Sequence, residues 1–273
     1  MTVQGVPAAN APVENFLKPI HEEREKRNRL MTAKLNEILR EADLPSLDYE
    51  NSIRALSMAH EGGSVTERHI LYALSLLLVK QAGRGQKLLE LLSSKLSIPV
   101  GGKMEALLRD AENPYYEYDL LGVLKTSIAD KIFIQPNESE CPPVETVTKF
   151  ARDINAFPLY AYLGDVGESP TGDKKAEKFE DDYLEDLIPC LKPLGFLGVT
   201  YMPPRNTKAQ LLRLQGLCRA HELIEVSGVD INSPRHSFNC PGMRMSEFAH
   251  LGAATWKLVE HEKLANKEGN HEK

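Results

Sequence analysis

The sequence lacks several motifs that would assign the chain directly to a class of protein. It contains no HxH and no HExxH motif, which are the usual signs of a self-contained metallohydrolase. No apolar run approaches the roughly 18 to 20 residues that a bilayer span needs, and the N-terminus lacks the basic start and apolar core of a signal peptide. The cysteines form no CxxC pair and are Cys141, Cys190, Cys218 and Cys240. We therefore expect a reduced, cytoplasmic protein without a membrane partner.

An excess of positive charge is also missing. The chain has 33 Lys and Arg against 39 Asp and Glu, which gives a net charge of -6 with histidine neutral. Nucleic-acid binding draws much of its energy from Lys and Arg that neutralise phosphates, so this balance argues against a nucleic-acid partner. The remaining composition is ordinary for a globular protein, with 42% hydrophobic and 26% charged residues among 273.

Composition and periodicity divide the chain into four segments. The first residues are rich in Ala, Pro and Gly, the following hundred have helical spacing, and strands then alternate with helices. The predicted segments are a disordered lead-in at 1–12, an insertion-like helical region at 13–130, a β/α region at 131–265 and a flexible tail at 266–273.

Two features of the helical region carry specific expectations. The charged stretch HEEREKRNR lies inside a long helix that ends at Pro45, and it is expected to be a solvated face. Ser64 and Glu67 predict a capping box at the start of a later helix. That helix, HILYALSLLLVK, is apolar almost all round, which predicts that it is buried.

The second half of the chain predicts an α/β fold. Strands are expected at 131–134, 158–165, 196–204 and 224–230, with helices between them. Such alternation implies parallel pairing with right-handed crossovers. A complete (β/α) barrel needs eight strands, whereas about four are found here. The sequence therefore predicts a partial (β/α) barrel, with the missing strands supplied by another chain, as in a homo-oligomer, or absent through truncation.

Polar side chains follow three of the predicted strands. In parallel α/β folds, ligands bind at the C-terminal ends of strands, so these side chains are expected to converge on one pocket. Three carboxylates are candidate ligands for a divalent cation: Asp165, Glu168 and Asp230. Three cationic side chains are candidate phosphate contacts: Lys174, Arg205 and Arg235.

Each of these residues also has a structural interpretation that the sequence leaves open. Asn206 has the side chain of a helix cap, and Asp230 that of a turn before Pro234. Arg205 could equally pair with a nearby carboxylate. His69 lies two residues after Glu67 and cannot easily share a metal with it, because residues at i and i+2 do not share a helix face. His69 is either a pocket residue or a buried structural histidine.

The order of several strings resembles the later part of the PHP (polymerase and histidinol phosphatase) family. The resemblance runs from about Glu14 to His261 and is strongest from Cys141 to Pro241. The strings that carry it are TERHILYAL, PYYEYDLLGVLK, ECPPVE, AYLGDVGESPTGDKKAEKFEDDYLEDL, GFLGVTYMPPRNT and SGVDINSPRHSFNCP. It implies a distorted β/α barrel of TIM type that binds divalent metal ions, Mn or Zn, and hydrolyses phosphate esters with metal-activated water.

Carried over by position, the resemblance is partial. TERH stands in the place of the family's GRPH, so that His69 matches a position often facing the site. Tyr162 stands where the family's AHPG motif has a metal-binding histidine, and at the family's GSDxH motif this chain keeps Asp230 but has Asn232 for the histidine. The opening HxHxxxSDG and TDH motifs, which supply further ligands, are not found. The resemblance implies Asp230 as a metal ligand, and the carboxylates Asp165 and Glu168, which follow a predicted strand, are the further candidates.

Three functions stay open on this basis. The first is a PHP-like metal-dependent phosphoesterase, or a truncated or degenerate relative, acting on a small phosphorylated substrate with His69 and Arg205 in the site. The second is a non-catalytic module that binds an anion or a protein. The third is a barrel enzyme of sugar-isomerase type, in which carboxylates hold the metal.

Overall fold

The structure, a computed structural model, is organised as two units. The residues that it describes are 1–7, 11–165, 178, 180–203, 205–228, 231, 233–235 and 239–268. The helical unit comprises Phe16–Cys141 and Ser233–Arg235. The α/β unit comprises Met1–Asn15, Pro142–Asn232 and His236–Lys273.

Helices outnumber strands among the described residues. In chain order the elements are β1 (Thr2–Gln4), α1 (Ala11–Glu41), α2 (Glu67–Ala82), α3 (Gln86–Leu96), α4 (Gly102–Arg109), α5 (Tyr116–Ile132), α6 (Val144–Asp153), β2 (Phe157–Ala161), α7 (Leu184–Leu191), β3 (Gly198–Tyr201), α8 (Lys208–Ala220), β4 (Ile224–Ser227) and α9 (Ala249–Glu268).

The core of the helical unit forms around α2. Its residues Ile70, Leu74 and Leu78 are at most 1% exposed, and they belong to the same apolar cluster as Leu120 and Leu124 of α5. Each such side chain stabilises the fold by about 2 kcal/mol through burial. The prediction that α2 is a buried helix is therefore confirmed.

The charged stretch of α1 is not merely a solvated face. Arg24 and Arg27 both bind the carboxylate of Glu140, whose side chain is only 3% exposed, at N–O distances of 2.9 and 2.6 Å. The hydrogen bond from Arg27 is the main cause that lowers the pKa of Glu140.

No helix in the described part of the chain has both the length and the apolarity needed to cross a membrane.

The four strands form one open mixed sheet in the order β1-β2-β3-β4. β2, β3 and β4 run parallel, with Leu159 opposite Gly198 and Val199 opposite Glu225. β1 pairs with β2 in the antiparallel direction. All four residues of β3 are buried, as expected for a central parallel strand covered on both faces.

The prediction of a partial barrel is wrong. The sheet ends at β1 on one side and β4 on the other, and its antiparallel edge strand is foreign to a barrel of parallel strands. Residues 131–134 form no strand, because Lys131 and Ile132 complete helix α5. Thr2–Gln4, in the segment predicted to be a disordered lead-in, instead supply β1. The parallel pairing expected for the other three strands is present.

Candidate functional site

Three parallel strands end at the same side of the sheet and place their following residues together. We call this side the C-terminal edge; it comprises residues 162–165 after β2, 205–207 after β3 and Gly228 after β4. Helices α7 and α8 begin at this side, because each crossover helix runs back from the end of one strand towards the start of the next. The sequence predicted a pocket here.

The carbonyl of Leu163 joins the segments that follow β2 and β3. Its oxygen accepts a hydrogen bond from Asn206 Nδ2 at 2.7 Å and a second from Arg205 Nε at 3.2 Å. The amide of Asn206 therefore holds a neighbouring loop, and Thr207 instead caps α8, through a capping box with Gln210. Asn206 Oδ1 is buried and has no hydrogen-bond partner in the described part of the chain.

Gly164 makes this close approach possible. Its backbone has φ +66°, in the left-handed region that side chains disfavour. A β-carbon there would lie 2.5 Å from Asn206 Nδ2 and 2.6 Å from the hydroxyl of Tyr162. Only glycine fits without displacing both groups.

A buried carboxylate organises the segment after β2. Glu180 is fully buried, and its Oε1 accepts hydrogen bonds from the backbone N–H groups of Leu163 at 2.6 Å and Gly164 at 2.8 Å. Its Oε2 accepts a hydrogen bond from the hydroxyl of Tyr160. Three donors offset the cost of burying this charge.

Two aspartates complete a reciprocal network. Asp165 Oδ1 accepts from the backbone N–H groups of Glu180 and Asp181 at 3.2 and 3.3 Å. Asp181 in turn accepts from the N–H of Asp165 at 3.2 Å, from the hydroxyl of Tyr162 at 2.6 Å and from Gln210 Nε2 at 2.7 Å. Each carboxylate thus stabilises the backbone that carries the others.

The tyrosines of this network are neutral donors. Burial raises the pKa of both Tyr160 and Tyr162, and the carboxylate that each hydroxyl contacts raises the pKa further. Tyr162 occupies the position at which the PHP resemblance places a metal-binding histidine. Its hydroxyl is neutral and donates a hydrogen bond to Asp181, and a protonated phenol is a poor metal ligand.

The described carboxylates of this edge do not fit a divalent cation. Glu180 and Asp181 already accept hydrogen bonds at both oxygens, and Asp165 caps two backbone N–H groups. Within the described residues no group of three His, Cys, Asp or Glu side chains is arranged to hold a metal ion. Glu168 and Asp230, the other two predicted ligands, lie outside the described residues, so the predicted Mn or Zn site stays a prediction, as does the sugar-isomerase alternative that needs the same carboxylates.

Among the predicted site residues that the structure describes, Arg205 has guanidinium nitrogens that are available to a ligand. Its Nε is engaged by Leu163, whereas neither terminal guanidinium nitrogen has a hydrogen-bond or ion-pair partner among the described residues. The alternative of a structural ion pair for Arg205 therefore finds no support in that part of the chain. Its side chain is half-buried, at the point where β3 turns into α8.

His69 and Arg235 belong to the helical unit and have other partners there. His69 Nδ1 accepts from the backbone N–H of Thr66 at 2.9 Å and completes the capping box of α2, the place that the sequence assigned to Ser64 and Glu67. Burial lowers the pKa of this imidazole. Arg235 binds Asp119 through two hydrogen bonds, of 3.0 and 2.7 Å, so its guanidinium already holds an anion. Their predicted roles in a ligand site stay predictions.

The remaining predicted residues are Glu168, Lys174 and Asp230, and all three lie outside the described residues. The sequence analysis in turn missed Glu180 and Asp181, which dominate the polar network. Tyr160 at the end of β2 and Tyr162 just after it were a usable signal, because two hydroxyls at the end of a strand need polar partners nearby.

Comparison with family models, with curated proteins and with solved structures gave no match for this chain. The resemblance to the PHP family therefore rests on the strings quoted above and stays a prediction.

Proposed function

We propose that this chain binds a small phosphorylated ligand at the C-terminal edge, with the phosphate held by Arg205. The proposal depends on the guanidinium of Arg205, which is held in place at Nε but has two terminal nitrogens without a described partner. The hydrogen bond from Nε to Leu163 limits the freedom of the side chain, and the two terminal nitrogens keep their donors available. A guanidinium in this state matches two phosphate oxygens at once.

Two features of the surroundings allow an anion beside Arg205 despite the nearby carboxylates. Glu180 and Asp181 lie at the same edge, but each accepts hydrogen bonds at both of its oxygens. Helix α8 begins at Lys208, three residues after Arg205, and a helix N-terminus carries a partial positive charge. The cationic group that an anion can bind at this edge is the guanidinium of Arg205, whose two terminal nitrogens have no partner among the described residues.

Hydrolysis of the bound ester is a separate prediction of the PHP resemblance. It requires a metal ion, and the described carboxylates give it no site. Binding of the phosphate is therefore the function that the geometry supports best. A non-catalytic anion-binding module, one of the alternatives from the sequence, has the same description.

A titration of the whole chain with p-nitrophenyl phosphate tests whether the chain binds a phosphate ester and whether Arg205 holds it. We expect saturable binding by calorimetry, and Arg205→Gln should weaken it roughly tenfold or more, since charge-assisted hydrogen bonds contribute about 1.5–3 kcal/mol. Arg219→Gln is the matched control, because it removes the same charge from an exposed position on α8. Equal binding by Arg205→Gln and the parent chain would overturn the proposal.

The same compound reports turnover through release of p-nitrophenol. Release that requires added manganese or zinc and stops on chelation would support the phosphoesterase prediction. Binding without release under these conditions would support the binding module instead.

A further inference from the structure

A cavity of about 460 Å³ lies at the opposite side of the parallel sheet, where the strands begin. Its apolar wall is formed by Phe157 at the start of β2, Phe196 and Leu197 just before β3, and Ile224 at the start of β4. Leu197 is 38% exposed and Ile224 is 41% exposed. The volume falls in the range of about 300–1,000 Å³ that is usual for sites that hold small molecules.

Three charged side chains also line this cavity. Lys192 and Glu222 form an ion pair with an N–O distance of 2.9 Å. The third is Arg152, in the last turn of α6, and its guanidinium has no hydrogen-bond or ion-pair partner among the residues that the structure describes. The cavity therefore has a net charge of +1, located at Arg152.

Gly195 leaves the space that the guanidinium of Arg152 occupies. A β-carbon at this glycine would lie 3.1 Å from Arg152 Nη2 and 2.8 Å from Thr148 Oγ1. The glycine has φ +89°, so both its conformation and its surroundings disfavour a side chain. Arg152 is thus positioned against backbone rather than against an acceptor.

Helices α6, α7 and α8 end at this side of the sheet, and free carbonyls at helix ends would oppose an anion. They are capped here by the chain itself. Each helix is followed by a residue with positive φ, namely Asn155, Gly195 and Glu222. The next residue then donates its N–H five residues back, in the bonds Ala156 to Ala151, Phe196 to Leu191 and Leu223 to Cys218. The full charge of Arg152 consequently dominates the cavity.

We propose that this cavity is a second binding site, specific for a small organic carboxylate with a flat or branched apolar body. The carboxylate pairs with the guanidinium of Arg152, whose fork matches two carboxylate oxygens. The apolar body covers the otherwise exposed surfaces of Leu197 and Ile224 and contacts the rings of Phe157 and Phe196. This site lies at the other side of the sheet from the proposed phosphate site and does not depend on it.

Naphthoate is a suitable probe, with the neutral naphthalenemethanol and the cationic naphthylmethylamine as matched compounds. Titration of the whole chain, followed by amide NMR, should show saturable shifts for the backbone of Gly195 and Leu197 with naphthoate. We expect the alcohol to bind roughly tenfold more weakly or worse, because it loses the charge-assisted pair, and the amine to bind least.

Two variants and a control test the assignment. Arg152→Gln should weaken naphthoate binding roughly tenfold and remove the preference for the acid over the alcohol. Ile224→Gln should weaken the acid and the alcohol alike, because it removes apolar contact without changing charge. Arg219→Gln, a charge change outside the cavity lining, should leave binding unchanged.

Three outcomes would overturn the proposal. These are no shift at Gly195 and Leu197 with naphthoate, equal naphthoate binding by Arg152→Gln, or tighter binding of the amine than of the acid. p-Nitrophenyl phosphate binding that is lost in Arg205→Gln but kept in Arg152→Gln shows that the two sites are separate.

Discussion

The two sides of the parallel sheet differ in how their charged side chains are paired. Where the strands end, three carboxylates are surrounded by hydroxyl, amide and backbone donors, and Glu180 alone accepts three hydrogen bonds. Where the strands begin, Arg152 has no described partner and the surrounding surface is largely apolar. Both sides use a left-handed glycine to bring backbone close to polar groups, Gly164 at one and Gly195 at the other.

This difference separates stability from binding capacity. A charge whose hydrogen-bonding capacity is satisfied inside the protein stabilises the fold and has little left for a ligand. A guanidinium with open donors contributes less to the fold and is available for an anion. The polar network of the C-terminal edge therefore explains why its carboxylates are structural, and why Arg205 and Arg152 carry the two binding proposals.

The largest expected effect is from removal of the Glu180 carboxylate. Glu180→Ala leaves two backbone N–H groups and the hydroxyl of Tyr160 buried without their acceptor, at a cost of about 1–3 kcal/mol each. We expect the free energy of unfolding in urea to fall by at least about 3 kcal/mol. Glu222→Ala, at a side chain that is 87% exposed, should leave it nearly unchanged. Similar losses for the two variants would contradict the structural role of Glu180.

The two glycines give a direct comparison of the two sides. Gly164→Ala should lower the free energy of unfolding by roughly 2–3 kcal/mol, because the new methyl meets both Asn206 and Tyr162 in a left-handed turn. Gly195→Ala should lower it by roughly 1–2 kcal/mol, since the new methyl meets the buried Thr148 at 2.8 Å whereas its other neighbour, the exposed Arg152, can move away.

Gly216→Ala is the control for both glycine variants. It lies inside α8 with no atom within 4 Å of the added methyl, so it should raise the free energy of unfolding by about 0.5–1 kcal/mol. Thermal melts of the three variants check the order. A loss at Gly195 that exceeds the loss at Gly164 would show that the start of the strands is the more tightly packed side.

A smaller effect is expected in alkali. Tyr160 and Tyr162 have a raised pKa in the folded protein, so their stabilising contribution is complete below the ordinary pKa of about 10. Above this pH the unfolded chain loses protons that the folded chain retains. The free energy of unfolding should therefore fall as the pH rises. At about pH 10.5 the loss should be roughly 1 kcal/mol for each of the two tyrosines.

The double variant Tyr160→Phe/Tyr162→Phe tests the source of that decline. Its free energy of unfolding should fall less steeply above pH 10 than that of the parent chain, whatever its starting value. Tyr118→Phe, at an exposed position, serves as the control. An unchanged slope in the double variant would assign the alkaline decline to other groups.

Much of the fold was predictable, and the errors have identifiable causes. The strings at 158–165, 196–204 and 224–230 contain the three parallel strands, because short apolar runs between helical segments have few other solutions. The string at 131–134, KIFI, contains three apolar residues of high strand propensity, yet its first two residues complete α5, where Ile132 is fully buried in the helical core. Local propensity was overridden there by packing.

The sequence pointed to the segments that form the candidate site, but it did not identify all of the residues in it. Arg205 and Asp165 were identified because they follow strands. Glu180 and Asp181 were not, because they precede α7 and reach the edge only through the fold. Arg152 belongs to no sequence motif, and its proposed role in binding an anion depends on the space that Gly195 leaves for its guanidinium.

The sequence by itself located most of the helices and the three parallel strands, since hydrophobic periodicity is a local property, but it misassigned 131–134 and missed β1. It also determined that polar residues gather where β2 and β3 end. Only the tertiary structure decided which charges have their donors and acceptors occupied by the protein. Hydrogen-bond satisfaction depends on groups far apart in sequence, such as the carboxylate of Asp181 with Gln210 or that of Glu140 with Arg27. That distribution of partners leaves Arg205 and Arg152 available to bind ligands.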